Sequence, residues 1–311
     1  MRVLLAGATG AIGTPLIQRL VAYHHEVIGV TRLLANARRL EAFGAEPLVA
    51  DVLDREGLLR AVAGTKADAV IHECTALTRP PLRFGDMEKT NDLRTKGTAN
   101  LLEAAREVGA TRFVTQSIVY GYGYGPHGTR PLTEADPFGV PADGPLGPIM
   151  DAFHEAEAQA TNAEGLDGIA LRYGLFYGDD PGTKRMIHAV RKRRFPVIAG
   201  GGGEQNMIHL DDAASATIAA LEKGRPGSAY NIVDGVPVTW GDLLDEMATL
   251  VDAKPPRRLP APLLRLAAPY AYTAMTTSMR VSNEKARTEL DWTPAVVDYK
   301  QGLRVVATAT A

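Results

Sequence analysis

The chain begins with the segment MRVLLAGATGAIG, residues 1–13, and this segment decides the fold. A short apolar run meets glycines at positions 7, 10 and 13, so a buried strand is predicted to turn directly into a helix. Glycines in such a turn let a pyrophosphate approach the backbone, where free N–H groups and the positive end of the helix dipole meet its charge. The segment therefore predicts a dinucleotide-binding turn, and a purely structural turn is the weaker alternative. The residues expected to contact the cofactor here are Gly7, Thr9, Gly10, Ala11, Ile12 and Gly13.

Short apolar runs and helical patterns alternate through the first half of the chain. The predicted strands are Arg2–Ala6, Glu26–Val30, Glu46–Val49, Ala69–His72, Arg112–Thr115 and Gly168–Arg172. The helical patterns between them cover about residues 12–23, 38–43 and 93–108. Strands separated by helices predict an α/β fold with a doubly wound, Rossmann-type parallel sheet. Ligands of such sheets bind outside the carboxyl ends of the strands.

The pattern becomes irregular after residue 173, which divides the chain into two predicted parts. Residues 1–173 are expected to form the dinucleotide-binding domain. Residues 174–311 are expected to form mostly a smaller substrate-binding lobe, with some segments returning to the main sheet. Seven glycines and six prolines lie in residues 121–148, which predicts a long ordered loop beside the active site.

Composition and charge exclude several classes of protein. The 311 residues include 34 basic and 36 acidic side chains, a net charge of −2, and 45% are hydrophobic, which is typical of a globular protein. This balance argues against a nucleic-acid-binding protein. The single cysteine, Cys74, excludes an internal disulfide and a cysteine-based zinc site, and no metal site is expected. Because we find neither a signal-peptide pattern nor a membrane-spanning stretch, we expect a cytoplasmic protein without membrane contacts.

The end of the second strand indicates which dinucleotide is bound. In NAD-binding versions an acidic residue here holds the ribose 2′-hydroxyl, whereas this chain reads Thr31-Arg32. An arginine can pair with a 2′-phosphate, so NADP(H) is predicted over NAD(H), with Arg32 as the selector and Arg38 or Arg39 as helpers. The alternative is that Arg32 is only a solvated surface residue. Asp51-Val52, after the third strand, is expected to face the adenine.

Further segments complete a resemblance to a known family. They are VIH (70–72), GTANLLEAA (97–105), RFV (112–114), LRYG (171–174), IHLDDA (208–213), VSNEKA (281–286) and LDWTP (290–294). With the glycine-rich loop, they resemble the extended short-chain dehydrogenase/reductase family of the NAD-dependent epimerase/dehydratase type. The resemblance implies a nicotinamide cofactor, a small-molecule substrate, and a homodimer built partly from the helices near 94–108 and 149–163. It also implies cofactor contacts from Cys74, Thr75, Ala76 and Tyr173, and a substrate hydrogen bond from Ser117.

The chain departs from this family where the chemistry is done. The resemblance implies a catalytic Tyr followed four residues later by a Lys, but none of the nine lysines has a Tyr four residues before it. On the helix where the pair is expected, Ile149 and Phe153 occupy those positions. Arg94 replaces a usual Asn, and Gln205 stands where nucleotide-sugar enzymes often have an Arg. The last departure disfavours a nucleotide-sugar substrate.

Four residues are candidates for the missing catalytic groups. Ser117 follows the fifth strand and could hydrogen-bond the substrate. Tyr120, or else Tyr122 or Tyr124, lies on the glycine-rich loop just beyond and could replace the missing Tyr. His154 lies on the expected catalytic helix and could serve as an acid or base near neutral pH. Arg94 could stabilise an oxyanion. Each of these residues also has a structural alternative, as a packing, capping or surface side chain.

Three functions are consistent with these residues. The first is an NADP(H)-dependent oxidoreductase acting on a carbonyl or hydroxyl group of a small metabolite. The second is a redox-neutral sugar epimerase or dehydratase with tightly held cofactor. The third is a non-catalytic dinucleotide-binding regulator, which the missing Tyr and Lys would permit.

Overall fold

A computed structural model of the chain describes residues 1–308, and a seven-stranded parallel sheet forms its centre. The strands lie in the order β11-β6-β5-β4-β1-β2-β3. Their bounds are β1 (Arg2–Ala6), β2 (Glu26–Thr31), β3 (Glu46–Val49), β4 (Ala69–His72), β5 (Arg112–Ile118), β6 (Asp167–Tyr173) and β11 (Ser228–Ile232). The order reverses between β1 and β4, so the carboxyl ends of these two strands flank the crevice where ligands bind in such sheets.

Helices cover both faces of this sheet and build the second half of the chain. They are α1 (Gly13–Ala22), α2 (Ala37–Ala42), α3 (Arg55–Val62), α4 (Glu88–Asp92), α5 (Thr98–Glu107), α6 (Gly147–Thr161), α7 (Pro181–Arg191), α8 (Leu210–Lys223), α9 (Trp240–Leu250), α10 (Ala261–Ala267), α11 (Pro269–Thr276), α12 (Glu284–Glu289) and α13 (Tyr299–Thr308). No helix among residues 1–308 is long and apolar enough to cross a membrane.

Two apolar layers hold the sheet between the helices. Side chains of β1 alternate between the layers, so that Leu5 packs with α1 and α8 while Leu4 packs with α3 and α5. Strands covered on both faces are apolar along their whole length, which is why the sequence shows continuous apolar runs there.

The remaining short strands form two-stranded pairs in the second half. They are β7 (Leu175–Tyr177) with β10 (Met207–His209), β8 (Val197–Ile198) with β13 (Arg258–Leu259), and β9 (Glu204–Gln205) with β12 (Val238–Thr239). The glycine- and proline-rich loop is tied to this half by β-bridges from Pro126 to Ser278 and from Leu132 to Val281.

The structure differs from the sequence prediction at one helix that matters for the site. The pattern over 93–108 predicts a single helix, but the helical segment starts earlier, with α4. A π-helical turn over Leu93–Gly97 then separates α4 from α5. A π turn holds one extra residue and leaves the apolar spacing nearly intact, so spacing alone does not reveal it.

Candidate active site

The glycine-rich turn after β1 has the geometry of a phosphate-binding loop. Gly7 has a φ of +91°, and a Cβ there would lie 2.5 Å from the backbone carbonyl of Glu73. A Cβ on Gly13 would lie 2.4 Å from the carbonyl oxygen of Gly7. Among the described residues, no side chain caps the start of α1, where Ile12 is the N-cap. The first N–H groups of α1 are therefore available to a phosphate, which fits a dinucleotide pyrophosphate.

The end of β2 carries basic groups and no carboxylate. Thr31 is buried and its hydroxyl accepts hydrogen bonds from the Leu33 N–H and the Asn36 amide, which shapes the turn. Arg32 is exposed and forms no ion pair with the other described residues. Arg39 lies nearby along the chain and donates to the hydroxyl of Thr14, 3.1 Å away. The surroundings of this turn would attract a phosphate.

Two residues after β3 fix the next edge of the crevice. One carboxylate oxygen of Asp51 accepts a hydrogen bond from the Leu53 N–H at 3.0 Å, which holds the loop in place. Val52 is buried, and its carbonyl oxygen accepts a hydrogen bond from Asn100 at 2.8 Å. Both residues are thus held by the fold at the position predicted for the adenine.

A histidine at the end of β4 orients the next segment. The Cys74 N–H donates to Nδ1 of His72 at 3.3 Å, so Nε2 carries the proton and donates to the Leu93 carbonyl at 3.1 Å. Burial lowers the pKa of His72 to about 4, which keeps the ring neutral. Burial also raises the pKa of Cys74 to about 12, so it remains a thiol and is not a nucleophile. Thr75 is exposed and Ala76 half-buried beyond it.

Glu73 is a buried acid that the sequence analysis missed. Its side chain points into the core, where the Tyr173 hydroxyl donates to Oε1 at 2.9 Å and also contacts the Thr217 hydroxyl at 2.7 Å. Oε2 has no partner among residues 1–308, and burial raises the pKa of Glu73 to about 8. The acid is therefore mostly protonated at neutral pH. A Glu directly after a buried strand is the only signal in the sequence, and by itself it does not show which way the side chain points.

Glu73 makes stability fall as the pH rises. In the unfolded chain the acid ionises near pH 4.5, whereas in the folded protein it holds its proton up to about pH 8. Between these values the folded state binds more protons, so unfolding becomes easier by up to about 1.4 kcal/mol per pH unit. We expect Glu73→Gln to remove this slope, with a gain in stability that grows up to about pH 8 and then levels off. Urea denaturation of both proteins between pH 5 and 9 measures it; parallel stability curves would contradict the prediction.

The inner face of α6 is apolar where the family has its Tyr and Lys. Ile149 and Phe153 are both buried, one helical turn apart. One turn further, Glu157 forms three hydrogen bonds with the Arg172 guanidinium of β6. This ion pair, which the sequence analysis did not predict, fixes the register of α6 against the sheet.

The tyrosines of the loop after β5 all use their hydroxyl groups inside the protein. Tyr120 donates to Oε1 of Gln205 at 2.6 Å, and Tyr122 donates to Oδ1 of Asn231 at 2.7 Å. The hydroxyl of Tyr124 lies 2.8 Å from that of Tyr270. Burial raises the pKa of Tyr122 to about 12 and the pKa values of Tyr120 and Tyr124 well above the ordinary value. These phenols hold their protons tightly, which makes them poor acids.

The other candidate residues divide into buried and exposed positions. Ser117 ends in a buried hydroxyl without a partner among residues 1–308, as expected of a group that meets a ligand. His154 is exposed, because it follows Phe153 on α6 and is rotated by about 100° from the inner face. The structure therefore places His154 on the exposed side of α6, away from the buried face that carries Ile149 and Phe153.

Arg94 lies on the π-helical turn and is buried, with 8% of its surface exposed. Its guanidinium carbon lies 4.3 Å from the centre of the Phe153 ring. Its one hydrogen bond within the described residues runs from Nη1 to the side-chain oxygen of Asn91 at 3.2 Å. Burial lowers its pKa. A cation thus lies against the ring that replaces the expected Lys.

Comparison with known proteins shows the family of this chain. The model of the NAD-dependent epimerase/dehydratase family matches residues 3–233, which include the glycine-rich loop, the sheet and α6. The chain belongs to this family. Its membership confirms the resemblance seen in the sequence and the predicted class of fold. A nicotinamide dinucleotide is the cofactor that this family and its structural neighbours use.

Curated relatives within the family include reductases. A 3-diazoavenalumate denitrifying reductase of a Streptomyces species is 37% identical over 97% of this chain and 99% of its own length. A 2-alkyl-3-oxoalkanoate reductase of Stenotrophomonas maltophilia is 26% identical and matches over the whole of both chains. The chain is an enzyme of the NAD(P)-dependent oxidoreductase or epimerase type, as the sequence predicts.

Solved structures share the fold. UDP-glucose 4-epimerase of Thermotoga maritima, solved with UDP-glucose, has a TM-score of 0.81 at 21% identity, covering 99% of this chain and 98% of that one. UDP-glucose 4-epimerase of Thermus thermophilus, solved with NAD, has a TM-score of 0.79 at 24% identity, covering 100% and 99%. Since both identities are low, they support the architecture and not the substrate.

Proposed function

We propose that this enzyme is an NADPH-dependent reductase that removes the diazo group from a small aromatic substrate. The observation that carries the proposal is the loss of a proton donor. The expected Tyr and Lys positions hold Ile149 and Phe153, and the three tyrosines nearby hydrogen-bond to protein groups. Reduction of a carbonyl needs a proton at oxygen, whereas replacement of a diazonium group by hydride needs none. The denitrifying reductase that is 37% identical supports the same reaction class.

The residues that would hold the cofactor are those of the crevice. The N–H groups at the start of α1 would bind the pyrophosphate, and Arg32 the 2′-phosphate. When bound, the reduced nicotinamide supplies a hydride that forms the new aryl C–H bond, while the C–N bond breaks and dinitrogen leaves with its electron pair. Ser117 and the apolar side chains of Ile149 and Phe153 would orient the substrate and exclude water. We assign cofactor binding to residues 1–173 and substrate binding mostly to 174–311, of which 309–311 lie outside the described residues.

The proposed reaction is tested with NADPH deuterated at C4 and the 4-carboxybenzenediazonium ion. We expect protein-dependent formation of benzoate with deuterium at the carbon that carried the diazo group, measured by mass spectrometry. Control reactions without protein measure the slow spontaneous loss of dinitrogen, and this background is subtracted. Absence of protein-dependent deuterium transfer would overturn the proposal. Reduction of benzaldehyde in a parallel reaction would instead support a carbonyl substrate. The observation that favours this alternative is the buried hydroxyl of Ser117, which has no partner among residues 1–308.

The preference for NADPH depends on Arg32. We expect Arg32→Ala to weaken NADPH binding about 10- to 100-fold and to leave NADH binding unchanged, because only the 2′-phosphate contact is lost. Arg60→Ala is the matched control, since Arg60 is exposed on α3 and pairs only weakly with Glu56. Calorimetric titration of each variant with both cofactors measures the effect. Equal binding of NADH and NADPH by the unchanged protein would contradict it.

The homodimer implied by the family resemblance stays a prediction. It would use the outer faces of α5 and α6, and sedimentation analysis of the purified protein would establish the oligomeric state.

A further inference from the structure

The structure contains two buried arginines with very different surroundings. Arg172 donates three hydrogen bonds to Glu157, so its charge is neutralised in the core. Arg94 is buried to nearly the same extent, but no Asp or Glu of residues 1–308 lies within ion-pair distance of it. A buried cation without a counter-ion is costly, and proteins rarely keep one without a use for it. The missing counter-ion therefore needs a source outside the chain.

The guanidinium of Arg94 is positioned by two contacts. Its Nη1 is held by Asn91, and its face lies on Phe153. The turn that carries it is held to the end of β4 by the hydrogen bond from His72 to the Leu93 carbonyl. π-Helical turns are frequent at functional sites, where they redirect a side chain.

The side chains around Arg94 favour an aromatic ligand. The hydroxyl pair of Tyr124 and Tyr270 lies close enough to act on the charge of Arg94, and Phe84 packs edge-on against Tyr270 at 5.7 Å. Tyr124 also stacks on Tyr120, with ring centres 5.2 Å apart. A guanidinium with the Phe153 ring against its face and this cluster of aromatic rings beside it is suited to a flat, conjugated anion.

We propose that Arg94 binds an anionic oxygen of the substrate, so that the enzyme selects aromatic compounds with a carboxylate or a phenolate. The proposal rests on the proposed function, since the ligand is the substrate of that reduction. Arg94 is here a specificity-determining residue: it forms the ion pair with the substrate that no residue of the described chain provides. The substrate oxygen would accept hydrogen bonds from the guanidinium nitrogens that do not contact Asn91.

The test uses two anions and their neutral counterparts, titrated into the NADP⁺-saturated enzyme by calorimetry at pH 8. Cinnamate with cinnamamide tests the carboxylate, and 4-nitrophenolate with 4-nitroanisole tests the phenolate. We expect at least one anion to bind about 10- to 100-fold more tightly than its neutral counterpart. The pair that shows the preference identifies which oxygen is recognised. If neither anion binds, or if both bind no better than their counterparts, the proposal is overturned.

Two variants show whether Arg94 causes the preference. Arg94→Met keeps the length and packing of the side chain but should abolish the preference, whereas Arg94→Lys should retain part of it. The melting temperature of Arg94→Met should not fall, because an unpaired buried cation is removed; a purely structural role of Arg94 would lower it. Arg60→Met is the control and should leave the preference unchanged. A preference that survives in Arg94→Met overturns the assignment. If Arg94→Met does not fold, the test is made with Arg94→Lys, in which an undiminished preference for the anion overturns the assignment.

The failure of this proposal is distinguishable from that of the reduction. Deuterium transfer to the diazonium substrate without any preference for anions would leave the reductase proposal standing and overturn the role of Arg94. Anion binding that depends on Arg94, without deuterium transfer, would support the binding site and overturn the reaction.

Discussion

Gly7→Ala is expected to abolish cofactor binding and to lower the free energy of unfolding by about 2–4 kcal/mol. The added Cβ would lie 2.5 Å from the backbone of Glu73, which has no rotamer with which to move away, and the φ of +91° is itself unfavourable for alanine. The turn after β1 must then shift, and the N–H groups at the start of α1 shift with it. Calorimetric titration with NADPH should show affinity reduced more than about 100-fold.

The matched control for this change is Gly64→Ala. Gly64 also has a positive φ, of +77°, but a Cβ there would meet nothing within 4 Å. The free energy of unfolding of Gly64→Ala should fall only by the cost of a left-handed backbone at alanine, about 1–2 kcal/mol. This variant should bind NADPH normally. Equal NADPH affinity in the two variants would show that the crowding at Gly7 does not shape the phosphate site.

Arg172→Met is expected to lower the free energy of unfolding by about 3–5 kcal/mol, because it leaves the carboxylate of Glu157 buried without its cation. The variant also loses the contact of the guanidinium with the Phe138 ring, whose centre lies 3.7 Å away. Urea denaturation measures the loss. Replacing both partners, in Glu157→Met with Arg172→Met, should recover part of the stability, since no unpaired charge remains.

An exposed ion pair provides the comparison for Arg172→Met. Arg130 pairs with Asp136 at 2.5 Å, but the Arg130 side chain is 66% exposed. Arg130→Met should therefore lower the free energy of unfolding far less than Arg172→Met does. If Arg172→Met costs no more than this control, the buried pair does not anchor α6 as described.

The sequence predicted the sheet well because buried parallel strands leave an unambiguous pattern. The bounds of β1, β3 and β4 agree with the prediction, and β2 extends one residue beyond its predicted end. Short or half-exposed elements were missed, among them α10 and the paired strands of the second half, since a few residues show no clear periodicity. The turn at Leu93–Gly97 was missed for a different reason, because an inserted residue is not visible in apolar spacing.

The candidate site could be predicted only in part. Glycine positions and the basic end of β2 follow from local sequence, so residues for the cofactor could be proposed from it. The direction of a side chain depends on partners far along the chain, and this was not predictable for Glu73, whose hydrogen-bond partner Tyr173 also contacts Thr217 on α8. The same holds for Tyr120, which finds its acceptor in Gln205. Arg94 was predictable as a candidate from its position in the sequence, but its lack of a counter-ion among residues 1–308 was not.

The place of β11 in the sheet has a consequence for how the chain is made. β6 ends at Tyr173, but the strand that covers its outer edge begins only at Ser228. During synthesis, at about 5–20 residues per second, that edge stays open for several seconds after β6 has left the ribosome. An open apolar edge is a template for aggregation. A fragment cut at residue 173 would keep this edge permanently exposed, so the cofactor-binding part is not expected to be an independent folding unit.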